Sequence, residues 1–185
     1  SSHFFYHTLN SLQALIVMQP ETAYKMAGDF SRYLRFNVDS ITAANGIGSF
    51  HEEIRAVRAY VDISRQQLGE RLRVVYHLQD EDFAIPVLTI EPVVENALLH
   101  GIRPKVGGGT LTVSLESGEN EYLVTVEDDG VGFDPSVAFD ERSIGLANVR
   151  RRLSQFPGCG IRIDSKPGVG TKIVLIYQKN LHKES

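Results

Sequence analysis

The stretch Tyr122-Leu123-Val124-Thr125-Val126-Glu127-Asp128-Asp129-Gly130-Val131-Gly132 changes character part-way along. Tyr122, Val124 and Val126 alternate with more polar neighbours, the period of a strand with one buried face. The strand then runs into a carboxylate followed by two closely spaced glycines. Glycine has no Cβ to hold other atoms off, so Asp128 with Gly130 and Gly132 reads as a place where backbone approaches a ligand closely. A plain β-turn is the alternative, since Asp-Gly is common in turns. Working outward, the same alternation recurs at Leu72, Val74 and Tyr76, at Leu111, Val113 and Leu115, at Ile161 and Ile163, and at Ile173, Leu175 and Tyr177. Helical spacing falls between these runs, at about 87–101 and 144–155. The second half of the chain is thus an α/β sandwich, a mixed sheet of about five strands with helices on one face.

The first part has a different period. Residues 3–18 read as a helix with Phe5, Leu9, Leu12 and Ile16 on one apolar stripe and His3, His7, Asn10 and Ala14 roughly opposite. Phe4, Leu15 and Met18 widen its apolar surface, as in a helix buried between partners. Gln19-Pro20-Glu21 restarts the pattern, and a second helix reaches about Val38 with Met26, Phe30, Tyr33 and Leu34 inward. So short a connection makes an antiparallel hairpin, and pairing with a second copy into a four-helix bundle would bury its remaining faces. Ile41–Ser49 reads as a linker, and a third helix at roughly 50–69 turns Ile54, Val57, Val61 and Leu68 inward. The fold class is therefore α+β, a helical hairpin over 1–48 followed by a sandwich-bearing unit over 49–185.

Composition narrows the function classes. With 42% hydrophobic residues the 185-residue chain can bury a core. The single cysteine, Cys159, cannot form an internal disulfide and fits a reducing compartment. No uninterrupted apolar run approaches the length that spans a bilayer, and no signal peptide is visible. A net charge of −4 argues against a general nucleic-acid binder, although Arg150-Arg151-Arg152 is a local basic cluster. These features predict a soluble cytosolic piece, opening at Ser1-Ser2-His3 as though cut inside a helix.

Three further segments accompany the Asp128 turn. Glu91-Pro92-Val93-Val94-Glu95-Asn96-Ala97-Leu98-Leu99-His100-Gly101 has helical spacing, with Val93, Val94, Ala97 and Leu98 inward and Glu95, Asn96, Leu99 and His100 on or beside the other side. Ser143-Ile144-Gly145-Leu146 leads a glycine into a helix, whose free N–H groups can cradle phosphate. Gly168-Val169-Gly170-Thr171 precedes the last strand. Each has a plain structural reading as surface helix, helix cap or hairpin turn.

In this order and spacing the four segments resemble the ATP-binding domain shared by histidine kinases, gyrase, Hsp90-type chaperones and mismatch-repair ATPases, over roughly residues 70–178. That resemblance implies a sandwich of the GHKL (Bergerat) type, with ATP and Mg²⁺ as cofactors. It implies that Asn96 ligates Mg²⁺, that the Asp128 carboxylate accepts the adenine amino proton beside Gly130 and Gly132, and that Ser143, Ile144, Gly145 and Leu146 form a second glycine box, with Ser143 where the family has Gly. Gly168, Gly170 and Thr171 fit the closing turn, and Phe133–Arg142 the nucleotide lid.

The N-terminal part narrows the family. His3-Phe4-Phe5-Tyr6-His7-Thr8-Leu9-Asn10 is similar to the phosphoacceptor signature of the LytS/YehU-type sensor histidine kinases, and Ser31–Phe36, Tyr60–Ile63 and Ile85–Ile102 follow their patterns. The resemblance implies autophosphorylation on His3, transfer to a response-regulator aspartate, homodimerisation through the hairpin, and an intact protein that is an inner-membrane sensor with this part in the cytoplasm. Glu95 is the candidate general base. Three positions depart from the pattern: His7 stands where the family has Asn, Ser2 where it has Pro, and Leu99 where a Lys is common, leaving His100 or Arg103 to face the phosphates. Two alternatives share the pocket, an ATP-binding module that has lost transfer and an anti-sigma-type serine kinase.

Overall fold

The computed structural model describes residues 2–136 and 141–181, the side chains of Ser2 and of residues 141–143 excepted. Helices α1 (Ser2–Met18) and α2 (Pro20–Thr42) form the hairpin, with Pro20 in the first turn of α2 where its missing N–H is no loss. Phe4 and Thr8 are buried on the inner face of α1, with Leu12 and Leu15 packed partly against the core. Thr8 Oγ1 donates to the Phe4 carbonyl at 2.7 Å, which satisfies the one polar group on that face. The Phe5–Leu9–Ile16 stripe is the exposed face instead; of the four residues expected on it only Leu12 turns partly inward. On α2, Met26 and Tyr33 are buried and Phe30 and Leu34 partly so, as their spacing predicts.

The expected linker is shorter than its composition suggests. Helix α2 runs past Val38 to Thr42, and Ile47–Ser49 is a strand, β1, paired antiparallel with β3 (Ala84–Pro86). Three residues are too few for alternation to announce a strand. Helix α3 (Phe50–Leu68) starts on a Ser49 cap, whose Oγ accepts from the Glu52 N–H at 3.3 Å. It packs against α2 and α4 with Ile54, Val57, Val61 and Leu68 buried.

The same arc of α3 carries Glu53, only 1% exposed. Its carboxylate accepts from the backbone N–H groups of Leu88, Thr89, Ile90 and Glu91 at 3.1, 2.8, 2.7 and 3.0 Å. These donors lie where α4 (Glu91–Asn96) begins, and a helix start leaves its first N–H groups without intrahelical acceptors. The helix expected over 87–101 therefore starts later. Residues 87–90 form a turn, with Leu88 at φ 56°, a left-handed conformation that a leucine seldom takes. Past Asn96 the helix widens into a π turn, Ala97–Ile102.

The main sheet has the order β2-β4-β5-β7-β6, formed by β2 (Leu72–His77), β4 (Gly109–Ser117), β5 (Glu121–Asp128), β6 (Gly160–Lys166) and β7 (Gly170–Gln178). Only β2 and β4 run parallel. Leu111, Val113, Val124, Val126, Ile173, Leu175 and Tyr177 bury the inner face under α4, the π turn and α5 (Glu141–Leu153). Tyr177, fully buried, hydrogen-bonds Thr89 Oγ1 at 2.8 Å and so ties the 87–90 turn to the sheet. No described helix is long and apolar enough to cross a membrane.

Removing the Glu53 carboxylate strands up to four buried donors, each costing about 1–3 kcal/mol unpaired. Glu53→Ala should lose at least about 3 kcal/mol of stability in urea unfolding, whereas Glu52→Ala on the exposed side should lose under about 1 kcal/mol.

Candidate functional site

Two glycine-bearing turns lock together around the end of β5. Asp128 is buried, and its Oδ1 accepts from the Gly130 N–H at 2.9 Å. A Cβ on Gly130 would lie 2.2 Å from the Gly101 carbonyl carbon, so the turn presses directly on the π turn that follows Asn96. The Val131 N–H donates to the Gly101 carbonyl at 3.0 Å, and the Gly168 N–H to the Val131 carbonyl at 2.7 Å. Gly132 sits at φ +63°, where a Cβ would meet the Lys166 carbonyl oxygen at 2.0 Å. The closing turn adds Thr171, whose Oγ1 hydrogen-bonds Ser165 Oγ at 2.7 Å while that oxygen accepts from the Phe133 N–H at 2.9 Å.

These contacts bring Asn96, His100, Gly101, Asp128, Gly132, Phe133 and Thr171 to one narrow cleft, packed so closely that no water-sized space is left in it. Asn96 is buried, and its Oδ1 has no hydrogen-bond partner among the described residues. A buried amide oxygen left unpaired fits a hard cation, which takes oxygen ligands. The residues expected from Asn96 to Asp128 and Thr171 are therefore neighbours. Ile144, Gly145 and Leu146 are not among the residues lining this cleft; they lie in the early turns of α5, which starts at Glu141 rather than at 144. The side chain of Ser143 lies outside the described residues, as do residues 137–140 of the expected lid. Arg103 turns away, its Nη2 donating to Gln67 Oε1 on α3 at 3.0 Å. The Arg150–Arg152 run is partly structural, since Arg152 Nη1 reaches the Val87 carbonyl at 3.3 Å.

A second cluster lies between α4 and the hairpin. Tyr33 on α2 and Tyr60 on α3 lie close enough to α4 for the charges of Glu91 and, one turn on, Glu95 to act on both rings' hydroxyls. Phe4, the neighbour of His3, packs its ring 4.6 Å from that of Tyr60 and 5.2 Å from that of Tyr33. His3 itself is exposed, its ring 5.2 Å from that of His7. Burial, then the charges of Glu95 and Glu53, push the Glu91 acid up to about 8, and burial pushes Glu53 up to about 6 against its four N–H donors. Reasoning from residue type missed Glu53 and Glu91. Helical phase was the available signal for Glu53, which lies three residues after Phe50 and four before Val57.

Residues 1–72 match the histidine kinase family, and residues 86–180 match the family described as histidine kinase-, DNA gyrase B- and HSP90-like ATPase. The chain belongs to the LytS-type histidine kinases. YwpD of Bacillus subtilis (strain 168) is 35% identical over 182 residues, covering 94% of this chain and 65% of that protein. The sensor histidine kinase YpdA of Escherichia coli (strain K12) is 34% identical over 169 residues, covering 87% of this chain and 30% of that protein. The chain thus spans less than two thirds of the length of either curated relative. Among solved structures, the histidine kinase domain of the Erythrobacter litoralis EL346 blue-light activated histidine kinase superposes with a TM-score of 0.56 at 16% identity, covering 90% of this chain and 80% of that one. At that identity the likeness concerns the fold.

The Glu91 acid is harder to ionise in the folded protein than in the unfolded chain, so the folded form holds its proton over a window from about 4.5 to about 8. Stability is then fullest below that window and declines as pH rises through it, by an amount on the order of a few kcal/mol. Urea unfolding at pH 6 and pH 9 should show this decline, and Glu91→Gln should flatten most of it.

Proposed function

We propose that the chain is the catalytic core of a sensor histidine kinase that binds ATP with Mg²⁺, phosphorylates itself on His3 and passes the phosphoryl group to an aspartate of a response regulator. The observation that carries this reading is the cleft that joins the buried Asp128 carboxylate to the unpaired amide oxygen of Asn96. A buried carboxylate at the end of a strand suits an exocyclic amine donor. Asn96 would hold Mg²⁺, which screens the charge of the polyphosphate when bound. His100, Gly130, Gly132 and Thr171 line or shape the same nucleotide site, and the start of α5, from Ser143 to Leu146, belongs to its phosphate side.

In the transfer, a neutral imidazole nitrogen of His3 forms a bond to the γ-phosphorus as the bond from that phosphorus to the bridging oxygen breaks. ADP leaves with the electron pair, and the ring proton passes to a base. Glu95 is the candidate base: it is half-buried on α4 beside Asn96, and its charge acts on Tyr33 and Tyr60 of the helices that Phe4 packs on. Dimerisation fits the outer face of the hairpin. Leu9, Ile16, Val17, Met18, Tyr24 and Ile41 are exposed there, and a second copy would bury them in a four-helix core.

Incubation with γ-labelled ATP and Mg²⁺ tests the reading. Label that is lost in acid and survives alkali, and that disappears in His3→Gln but persists in His7→Asn, is the expected result. Label with the opposite stability would mean a serine kinase, and binding without label a module that only holds nucleotide. Asp128→Ala should weaken ATP binding by roughly 10- to 150-fold, the worth of one charge-assisted hydrogen bond. Calorimetry showing parental affinity in that variant would place adenine elsewhere.

A further inference from the structure

A groove of about 530 Å³ runs along one flank of α2 and is closed on its other side by the start of α3, by β1 and by Val87. It shares no lining residue with the nucleotide cleft. Its size falls within the range of about 300–1,000 Å³ that small organic ligands occupy, and it lies where such sites form most readily, between two structural units. One wall belongs to the hairpin and the other to the α/β unit.

Two kinds of side chain decide what the groove can hold. Phe36, Ala56 and Val87 supply an apolar wall, the last two buried. Arg32 and Arg35 of α2 and Arg55 of α3 bring three guanidinium groups to the same space. Arg32 is held by the buried Asp29, one turn earlier on α2, to which its Nη2 donates. Arg35 and Arg55 have no hydrogen-bond or ion-pair partner among the described residues. Three acids line the groove as well. Glu53 is spent on the backbone N–H groups of residues 88–91 and does not neutralise the arginines. Asp39 and Glu52 are exposed and form no ion pair with any of the three. Two guanidinium forks thus stand unmatched beside an apolar wall. A guanidinium presents paired N–H donors in the geometry of a carboxylate, sulfonate or phosphate. A molecule with an anionic head and an apolar body satisfies both halves of the groove.

We propose that this groove is a binding site for a small, diffusible organic anion, its head held by Arg35 and Arg55 and its apolar body laid on Phe36, Ala56 and Val87. This goes beyond the kinase reading and does not rest on it. The site also reaches the start of α4. Glu53 lies at its inner end, and Val87 directly precedes the residues whose N–H groups Glu53 accepts. A ligand seated between α2 and these groups favours the arrangement in which they are packed, because binding shifts the population toward the form that binds better.

The probe is 1-anilinonaphthalene-8-sulfonate, an aromatic body with one sulfonate, titrated by fluorescence into the 185-residue chain. Saturable binding at one site per chain, not displaced by ATP with Mg²⁺, is expected. Arg35→Gln and Arg55→Gln together should weaken it at least roughly 10-fold, as should removing the sulfonate from the probe, in N-phenyl-1-naphthylamine. Both arginines are exposed, so urea unfolding of the paired variant should match the parent, and a lost site is then not a lost fold. Ser31→Trp, which places a bulky ring in the groove from an exposed position, should block the probe by a separate route. Leu9→Gln with Ile16→Gln, on the exposed apolar face of the hairpin, should leave the affinity unchanged. Parental affinity in the arginine variant, equal affinity for the neutral probe, loss of binding in the Leu9 and Ile16 variant, or displacement by ATP would each overturn the proposal. Binding that appears only on dilution means that a second copy covers the groove, and overturns it too. Hydrogen exchange at the amides of residues 88–91 should slow when the probe is bound; unchanged exchange there overturns the link to α4.

Discussion

The carboxylate of Glu53 accepts four backbone N–H groups from residues 88–91, and the geometry of the site follows from where that puts the start of α4. A buried carboxylate is expensive, and it is retained only where enough donors converge on it. Here the donors are a left-handed turn and a helix start, two features that would each be unfavourable alone. Once α4 starts at Glu91, helical rise places Glu95 and Asn96 in its last turn, and the π turn then carries His100 and Gly101 toward β5. Moving the start by one residue would rotate all of these by about 100°.

The far wall of the cleft is built on a different principle. Its turns come together because side chains are missing. Gly101 and Gly130 meet backbone to backbone beside Asp128, where a Cβ on Gly101 would stand 2.5 Å from the Asp128 Oδ1. The register of β5 with β7 sets Asp128 opposite Thr171, so the residue at the floor and the residue on the closing turn are fixed by the same ladder. The ends of two central strands thus face a helix whose start is held by Glu53.

How far this was legible in the sequence depends on whether a residue's role agrees with its type. The five long strands alternate because one face meets helices and the other meets water, so period alone found them. Asp128 was legible because two glycines after a strand-end carboxylate mark close backbone approach, whereas Asn96 and Thr171 were reached only through the family resemblance; the structure sets all three around one cleft. The strands β1 and β3 are too short to have a period. Glu53 and Glu91 were missed because a glutamate in a helix ordinarily means solvent; helical phase alone hinted at Glu53, whose burial is made tolerable by four N–H donors distant in sequence. Helix α4 was drawn too long at its start for the same reason: Val87 to Ile90 are apolar enough for a helix, and the Glu53 carboxylate overrides that tendency.

The hairpin raises a question of phase that its composition alone leaves open. At about 100° per residue, α1 presents three faces roughly a third of a turn apart. One, with Phe4, Thr8, Leu12 and Leu15, packs on α2 and α3; a second, with Phe5, Leu9 and Ile16, is apolar and exposed; the third holds His3, His7 and Asn10. Under the proposed reading only the third can serve a residue that must meet a nucleotide and then a regulator, because the first is filled and a second copy would fill the next. The neighbour Phe4 is what assigns His3 to that face. Its burial against Tyr33 and Tyr60 fixes the rotation of the helix about its own axis, and so keeps the imidazole turned outward. A rotation of α1 large enough to bury His3 would have to pull Phe4 from a cage of three aromatic rings, Phe30 included. The orientation of His3, the proposed phosphoacceptor, is thus set by the packing of the residue beside it.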